Sequence, residues 1–146
     1  LTIEHMKFGL VEKFFTERMY PELADKAGVK RPDVVWHCRD GQVIAVEVEL
    51  TSKWGRQLDE FILRMHQSIH KYSAGYVVFT DSPAIHKRYT AAMAVGAPVS
   101  TWIKDERGYW RIAGVQEIEA AFACRVLVRL IDDHDKDVVK KMPKNE

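Results

Sequence analysis

Three acidic residues stand where strand-forming chemistry does not ask for them. The stretch RPDVVWHCRDGQVIAVEVELTSK, residues 31–53, contains two apolar runs, one opening on Asp33 and the other carrying Glu47 and Glu49. Acids are poor strand formers, and like charges opposite one another on a sheet repel. A divalent cation between them would remove the repulsion. Grouped carboxylates at a strand end suit a hard ion such as magnesium, which prefers oxygen ligands and keeps several waters. The alternative is a solvated outer face on which the acids are merely tolerated.

Whether the acids meet depends on the hairpin register, because strand faces alternate. A two-residue loop at Asp40-Gly41 would pair Asp33 with Val48 and mix apolar and acidic residues on each face. A three-residue loop, Arg39-Asp40-Gly41, with glycine at the left-handed bulge position, sets Asp33 across from Glu47. It collects Val34, Trp36, Cys38, Ile44, Val46, Val48 and Leu50 on one face. Asp33, Val35, His37, Val43, Ala45, Glu47 and Glu49 share the other. The cleaner segregation selects the three-residue loop.

The elements that position these residues follow from periodicity. Ile3, Met6, Leu10, Val11, Phe14 and Phe15 recur at helical spacing, which predicts a first helix from Ile3 to about Met19, stopped at Tyr20-Pro21. An irregular connection runs to Lys30, and strands Asp33–Cys38 and Gln42–Leu50 follow. Thr51 or Ser52 caps a second helix whose stripe is Trp54, Leu58, Phe61, Ile62, Met65, Ile69 and Tyr72. Tyr76–Thr80 is a buried type of strand, and Asp81-Ser82-Pro83 opens a third helix over about Ala84–Val95. Val99–Ile103 reads as a fourth strand, with Tyr109–Ala113 pairing to it across Asp105–Gly108. Val115–Ile131 reads as a last helix. The order implies an α/β mixed sheet with helices on both faces, one domain over residues 1–131, and a charged tail over 132–146 that could extend the last helix.

Bulk properties bound the function loosely. The 146 residues carry a net charge of +1, so any nucleic-acid surface must come from local clustering of basic residues. The two cysteines, Cys38 and Cys124, sit in apolar contexts and read as free buried thiols of a reducing compartment. No apolar run approaches the ~18 residues of a membrane span and no secretory signal is visible, which implies a soluble, cytoplasmic protein without a membrane partner. A chain that opens on Leu1 and runs straight into a helical pattern reads as part of something longer.

With Pro32-Asp33 before one strand, Glu47-Val48-Glu49 on the next, and helices before and after, the sequence resembles the PD-(D/E)xK nuclease superfamily. The longer pattern RPDVVW…VIAVEVELTSK…YVVF, over roughly residues 1–80, is most similar to the replication-relaxation group, the MobC-type relaxases of mobilisable plasmids. The resemblance implies a restriction-endonuclease-like fold and a Mg²⁺- or Mn²⁺-dependent DNA endonuclease that nicks one strand at a plasmid transfer origin. It implies as partners DNA, a secretion-coupling protein and other relaxosome proteins, and a winged-helix DNA-binding domain ahead of this one. Asp33 and Glu47 match the two acidic metal ligands. Glu49 stands where most members have lysine, a departure that puts the lysine's role in doubt. Lys53, one turn further on, would supply that charge. Glu12 matches a helix-borne glutamate that completes the metal site, and His5 an early histidine of the relaxase-like group.

Hydrolysis by this set needs no covalent protein–DNA intermediate; Glu49 would bind a second ion or take the water's proton. Lys53, Arg56, Arg64 and Lys71 lie off the apolar stripe and could follow a phosphate backbone, or form a solvated face with a Glu60–Arg64 pair. Arg31, beside the acids, is the stronger phosphate contact. His66 and His70 are spaced as a helical zinc pair but lack the glutamate of H-E-x-x-H, so they read as ordinary amphipathic-helix residues. Tyr72 reads as a packing residue, and Trp36, Trp54, Trp102 and Trp110 as core or rim. No glycine-rich phosphate loop is present. The rival readings are a junction resolvase or restriction enzyme of the same superfamily, and a degenerate nuclease fold that only binds DNA or docks a partner.

Overall fold

The turn between the two central strands sets the frame. In the computed structural model, which describes residues 1–19 and 31–131, Cys38 donates its N–H to the Gln42 carbonyl at 2.8 Å and Gly41 donates to the Cys38 carbonyl at 3.0 Å. Gly41 has φ 82°, and Asp40 Oδ1 accepts the Gln42 N–H at 3.0 Å. The loop is therefore Arg39-Asp40-Gly41, closed by a glycine in the left-handed region. Within the hairpin, β2 (Val34–Cys38) and β3 (Val43–Val48), Val34 stands opposite Val46 and Trp36 opposite Ile44. This is the register in which Asp33 would fall across from Glu47 if the ladder ran one step further; Asp33 itself stands in the bend just before β2.

Upstream the structure differs from the helix expected over residues 3–19. Helix α1 covers only Thr2–Lys7, and β1 (Val11–Thr16) pairs antiparallel with β2. Between them the chain ends α1 with a Schellman motif: Gly9, at φ 73°, donates to Met6 O and Leu10 donates to His5 O. The run Val11–Thr16 carries two phenylalanines and fits either period locally; an open edge on β2 decides for the strand.

Past β3, α2 (Gly55–Ser68) ends in a short 3₁₀ turn, Ile69–Lys71, and leads to β4 (Gly75–Thr80), parallel to β3. Trp54, not Thr51 or Ser52, holds the N-cap position and makes no side-chain cap bond. Helix α3 spans Pro83–Ala92 with proline in its first turn, and Ser82 Oγ accepts the Ile85 N–H at 3.3 Å.

The expected fourth strand and last helix are arranged otherwise. Strands β5 (Pro98–Lys104) and β6 (Trp110–Glu117) form a ribbon of their own instead of joining the main sheet. Residues 115–131, expected as a helix, hold the end of β6, one helical turn α4 (Ala120–Ala123) and β7 (Val126–Leu130). Strand β7 adds parallel to β4, because a buried β4 has a second ladder edge to satisfy and Val126, Val128 and Leu130 alternate. The main sheet is five-stranded and mixed, in the order β1-β2-β3-β4-β7. The connection over 20–30 and the tail over 132–146 lie outside the described residues.

Helices cover both faces of this sheet, unequally. Beneath α2 and α3, Ala45, Tyr76 and Val78 pack with Phe61, Ile62, Met65, Ile85 and Tyr89. On the other face Val11, Trp36, Val46 and Phe79 form a smaller cluster against Met6 of α1. The face carrying the acids is thus the one under the larger core. A single Phe or Leu truncation in that core would cost roughly 2–5 kcal/mol. Among the described residues no helix is long and apolar enough to cross a membrane.

Candidate functional site

Glu47 leaves the end of β3 on the face covered by α2 and is 1% exposed. Two residues on, past the end of the strand, Glu49 is 6% exposed and its N–H donates to Phe79 O of β4 at 2.8 Å. Burying a carboxylate is costly unless hydrogen bonds or a cation compensate it. For Glu49 the cation is Lys53. Lys53 Nζ lies 2.5 Å from both Glu49 oxygens, with its backbone N–H donating to the Tyr89 hydroxyl at 3.2 Å and its ammonium 5.0 Å from the centre of the Phe61 ring. The connection between β3 and α2 therefore folds the lysine back onto the strand.

Asp33 is exposed in the bend before β2, and its Oδ2 accepts the Val48 N–H at 2.8 Å. This bond caps the end of β3 and holds the aspartate beside the residue that separates the two glutamates. Arg31 and the buried Pro32 immediately precede it.

Tyrosines border the acids: Tyr76 and Tyr89 are buried and Tyr72 is half-buried. Ser68 Oγ and the Tyr76 hydroxyl are 2.7 Å apart, and the Tyr72 and Tyr76 rings meet edge to face at 5.3 Å. Burial raises the hydroxyl pKa of both Tyr72 and Tyr76, with the Glu47 charge adding to it. Burial likewise pushes Tyr89 up to about 12, with Glu49 contributing. All three phenols stay neutral near pH 7. Tyr72 packs as expected; Tyr89 could have been found from its i,i+4 spacing to Ile85 and Met93.

Other expected members fall elsewhere. Glu12 is exposed at a bulge in β1, between the pairs Val11–Cys38 and Lys13–His37, and not on a helix. His37 and Asp33 are four residues apart on an extended strand, about 13 Å, so Glu12 sits at the turn end of the hairpin, away from the acids. His5 is on the opposite face of the sheet, 4.6 Å from the Trp36 ring centre, with Nδ1 2.8 Å from Leu1 O. His66 and His70 are exposed, with His66 stacked on Phe122 at 5.3 Å and His70 in the 3₁₀ turn. Of the thiols, Cys38 is half-buried and Cys124 is exposed, not buried as expected.

A polar cleft of about 350 Å³ opens beside Lys53, lined by Thr51, Ser52, Gln57, Glu60 and Arg64. Glu60 pairs with Arg56 at 2.6 Å instead of with Arg64. Arg64 is exposed on the cleft wall.

The donor set is all carboxylate oxygen, the chemistry that suits Mg²⁺ or Mn²⁺, which take one or two carboxylates and several waters. Among the described residues, however, no three His, Cys, Asp or Glu side chains converge as a ready metal-binding group. With Lys53 on Glu49, the other two acids at this strand end are the buried Glu47 and the exposed Asp33. No family model matches the chain, and neither a curated protein nor a solved structure does.

Proposed function

We propose that the chain is a metal-dependent DNA endonuclease domain of the restriction-endonuclease-like type, acting as a relaxase that nicks one strand at a plasmid transfer origin. One observation carries the reading: Glu47, a carboxylate 1% exposed, and Glu49, a second nearly buried acid two residues on, leave the end of β3 where Asp33 bonds the N–H of the residue between them. Hydrophobic folding does not call for such a placement, whereas a phosphodiesterase does. Around these acids the chain runs α1, β1, the β2–β3 hairpin, α2 and β4, so β1 interrupts the order of helix, hairpin, helix and strand that the resemblance implies.

Asp33 and Glu47 would hold Mg²⁺ or Mn²⁺, with Glu49 joining as Lys53 releases it. When bound, such an ion supplies Lewis acidity to the phosphate and lowers the pKa of a water. The protein's own residues do the rest. Where it stays off the ion, Glu49 instead takes the proton of the attacking water once its lysine has moved. Lys53, freed from Glu49, places its ammonium beside the cleft and offsets charge building on the phosphate. Arg31, Arg56 and Arg64 contribute phosphate contacts around it.

A second reading, a non-catalytic DNA-binding or docking module, is favoured by the Lys53–Glu49 pair itself, which fills the charge requirement of Glu49 with no metal at all. Nicking of supercoiled plasmid in Mg²⁺ or Mn²⁺ separates the two. Activity in the wild-type chain and its loss in Glu47→Ala supports the enzyme; equal inactivity of both overturns it. A plasmid carrying its transfer origin, beside one without, tells a relaxase from a general nuclease.

A further inference from the structure

Two of the four tryptophans are exposed. Trp54, at the N-cap of α2, is 63% exposed, and Trp110, at the start of β6, is 40% exposed. Each carries a cation on its ring. The Arg88 guanidinium lies over Trp54 and is anchored by a hydrogen bond to Ser52. Arg56 Cζ lies 4.0 Å from the centre of Trp110, with Lys104 Nζ at 5.2 Å. Since Arg56 is in the first turn of α2, this contact ties the β5–β6 ribbon to the same helix mouth that Trp54 caps and that Lys53 and Glu49 precede. Neither Arg88 nor Lys104 forms an ion pair with a carboxylate among the described residues.

We infer that Trp54 and Trp110 form a stacking track for an unpaired nucleic-acid strand, leading to the acidic strand end. The chemistry is that of single-strand binding: bases stack on aromatic faces, while flanking cations hold the phosphates. A duplex keeps its bases stacked inside and offers no face to either ring. As a substrate track this rests on the nuclease reading, but as a binding site it does not.

The test is fluorescence anisotropy of labelled oligothymidylate, oligouridylate and a blunt duplex with the whole chain in EDTA, where cleavage plays no part. The single strands are expected to bind more tightly than the duplex, and comparing the two gives the sugar accepted. Trp54→Ala and Trp110→Ala should each weaken binding about ten-fold, with Trp54→Phe and Trp110→Phe recovering most of it. Arg88→Gln and Lys104→Gln should each flatten the dependence of log affinity on log salt by about 0.7. Equal binding of duplex and single strand overturns the inference, as do alanine variants that bind like wild type. So does a Trp110→Ala variant whose only change is its oligomeric state by sedimentation. Any of these results alongside Glu47-dependent nicking removes the track and leaves the nuclease; tryptophan-dependent strand binding without nicking does the reverse.

Discussion

Replacing Lys53 with methionine takes the ammonium away from a carboxylate that has almost no other access to water. At the 2.5 Å separation in the pair and an effective dielectric of about 20, the gross Coulomb attraction is roughly 6–7 kcal/mol. Desolvating Glu49, whose side chain is 7% exposed, offsets most of that, and Lys53, at 32%, remains partly screened by solvent. The net coupling should be about 1–3 kcal/mol. A double-mutant cycle of Lys53→Met and Glu49→Gln, followed by urea unfolding in EDTA, measures it with the other effects of each substitution cancelled. The single Lys53→Met should be the least stable of the four proteins, since it alone leaves Glu49 buried without its cation. If Glu49 also serves a divalent ion, the ion takes over the role of Lys53 and the coupling should fall in millimolar Mn²⁺. A coupling below about 0.5 kcal/mol in EDTA would refute the pair as a structural device. An unchanged coupling in Mn²⁺ would remove Glu49 from the metal site.

Other consequences can be checked more simply. Gly75, at φ 83°, begins β4, and a Cβ there would overlap the Arg125 carbonyl oxygen that accepts the Tyr76 N–H. Gly75→Ala should therefore cost roughly 3 kcal/mol or more in denaturant unfolding, and a loss under 1 kcal/mol would contradict the close pairing of β4 with β7. Of the two thiols, exposed Cys124 should react first with a disulfide reagent near neutral pH, because burial and then Asp40 raise the Cys38 pKa. Cys38 labelling should accelerate as pH rises through its raised value, and Asp40→Asn should shift that acceleration to lower pH; equal rates for both thiols would contradict the packing of β2. Asp105 holds the β5–β6 turn through the N–H groups of Arg107 and Tyr109, both at 2.9 Å, and these bonds lower its pKa. Its contribution is present above the unfolded carboxyl value and lost as pH falls through the lower folded one, so the Trp110 fluorescence should change there in wild type but not in Asp105→Asn.

Features carried by a few neighbouring residues were legible in the chain. The Asp40-Gly41 turn and the alternation on either side of it determined the hairpin register, because a slip of one residue would send every side chain to the wrong face. The apolar stripe of α2 and the Ser82-Pro83 start of α3 were equally local. The short apolar runs were not: Val11–Thr16 and Val126–Leu130 satisfy helical and extended spacing alike, and only an unfilled edge of β2 and of β4 made them strands. Moving β1 out of the first helix took Glu12 away from the acids, which no local pattern could have revealed. Likewise, residue types and spacing named Asp33, Glu47 and Glu49, and the resemblance added Lys53, but only the folded connection after β3 decided that Lys53 lies on Glu49 and that the acidic face is roofed by α2. Spacing along a chain says which side chains share a face, whereas the partner across that face comes from segments distant in sequence.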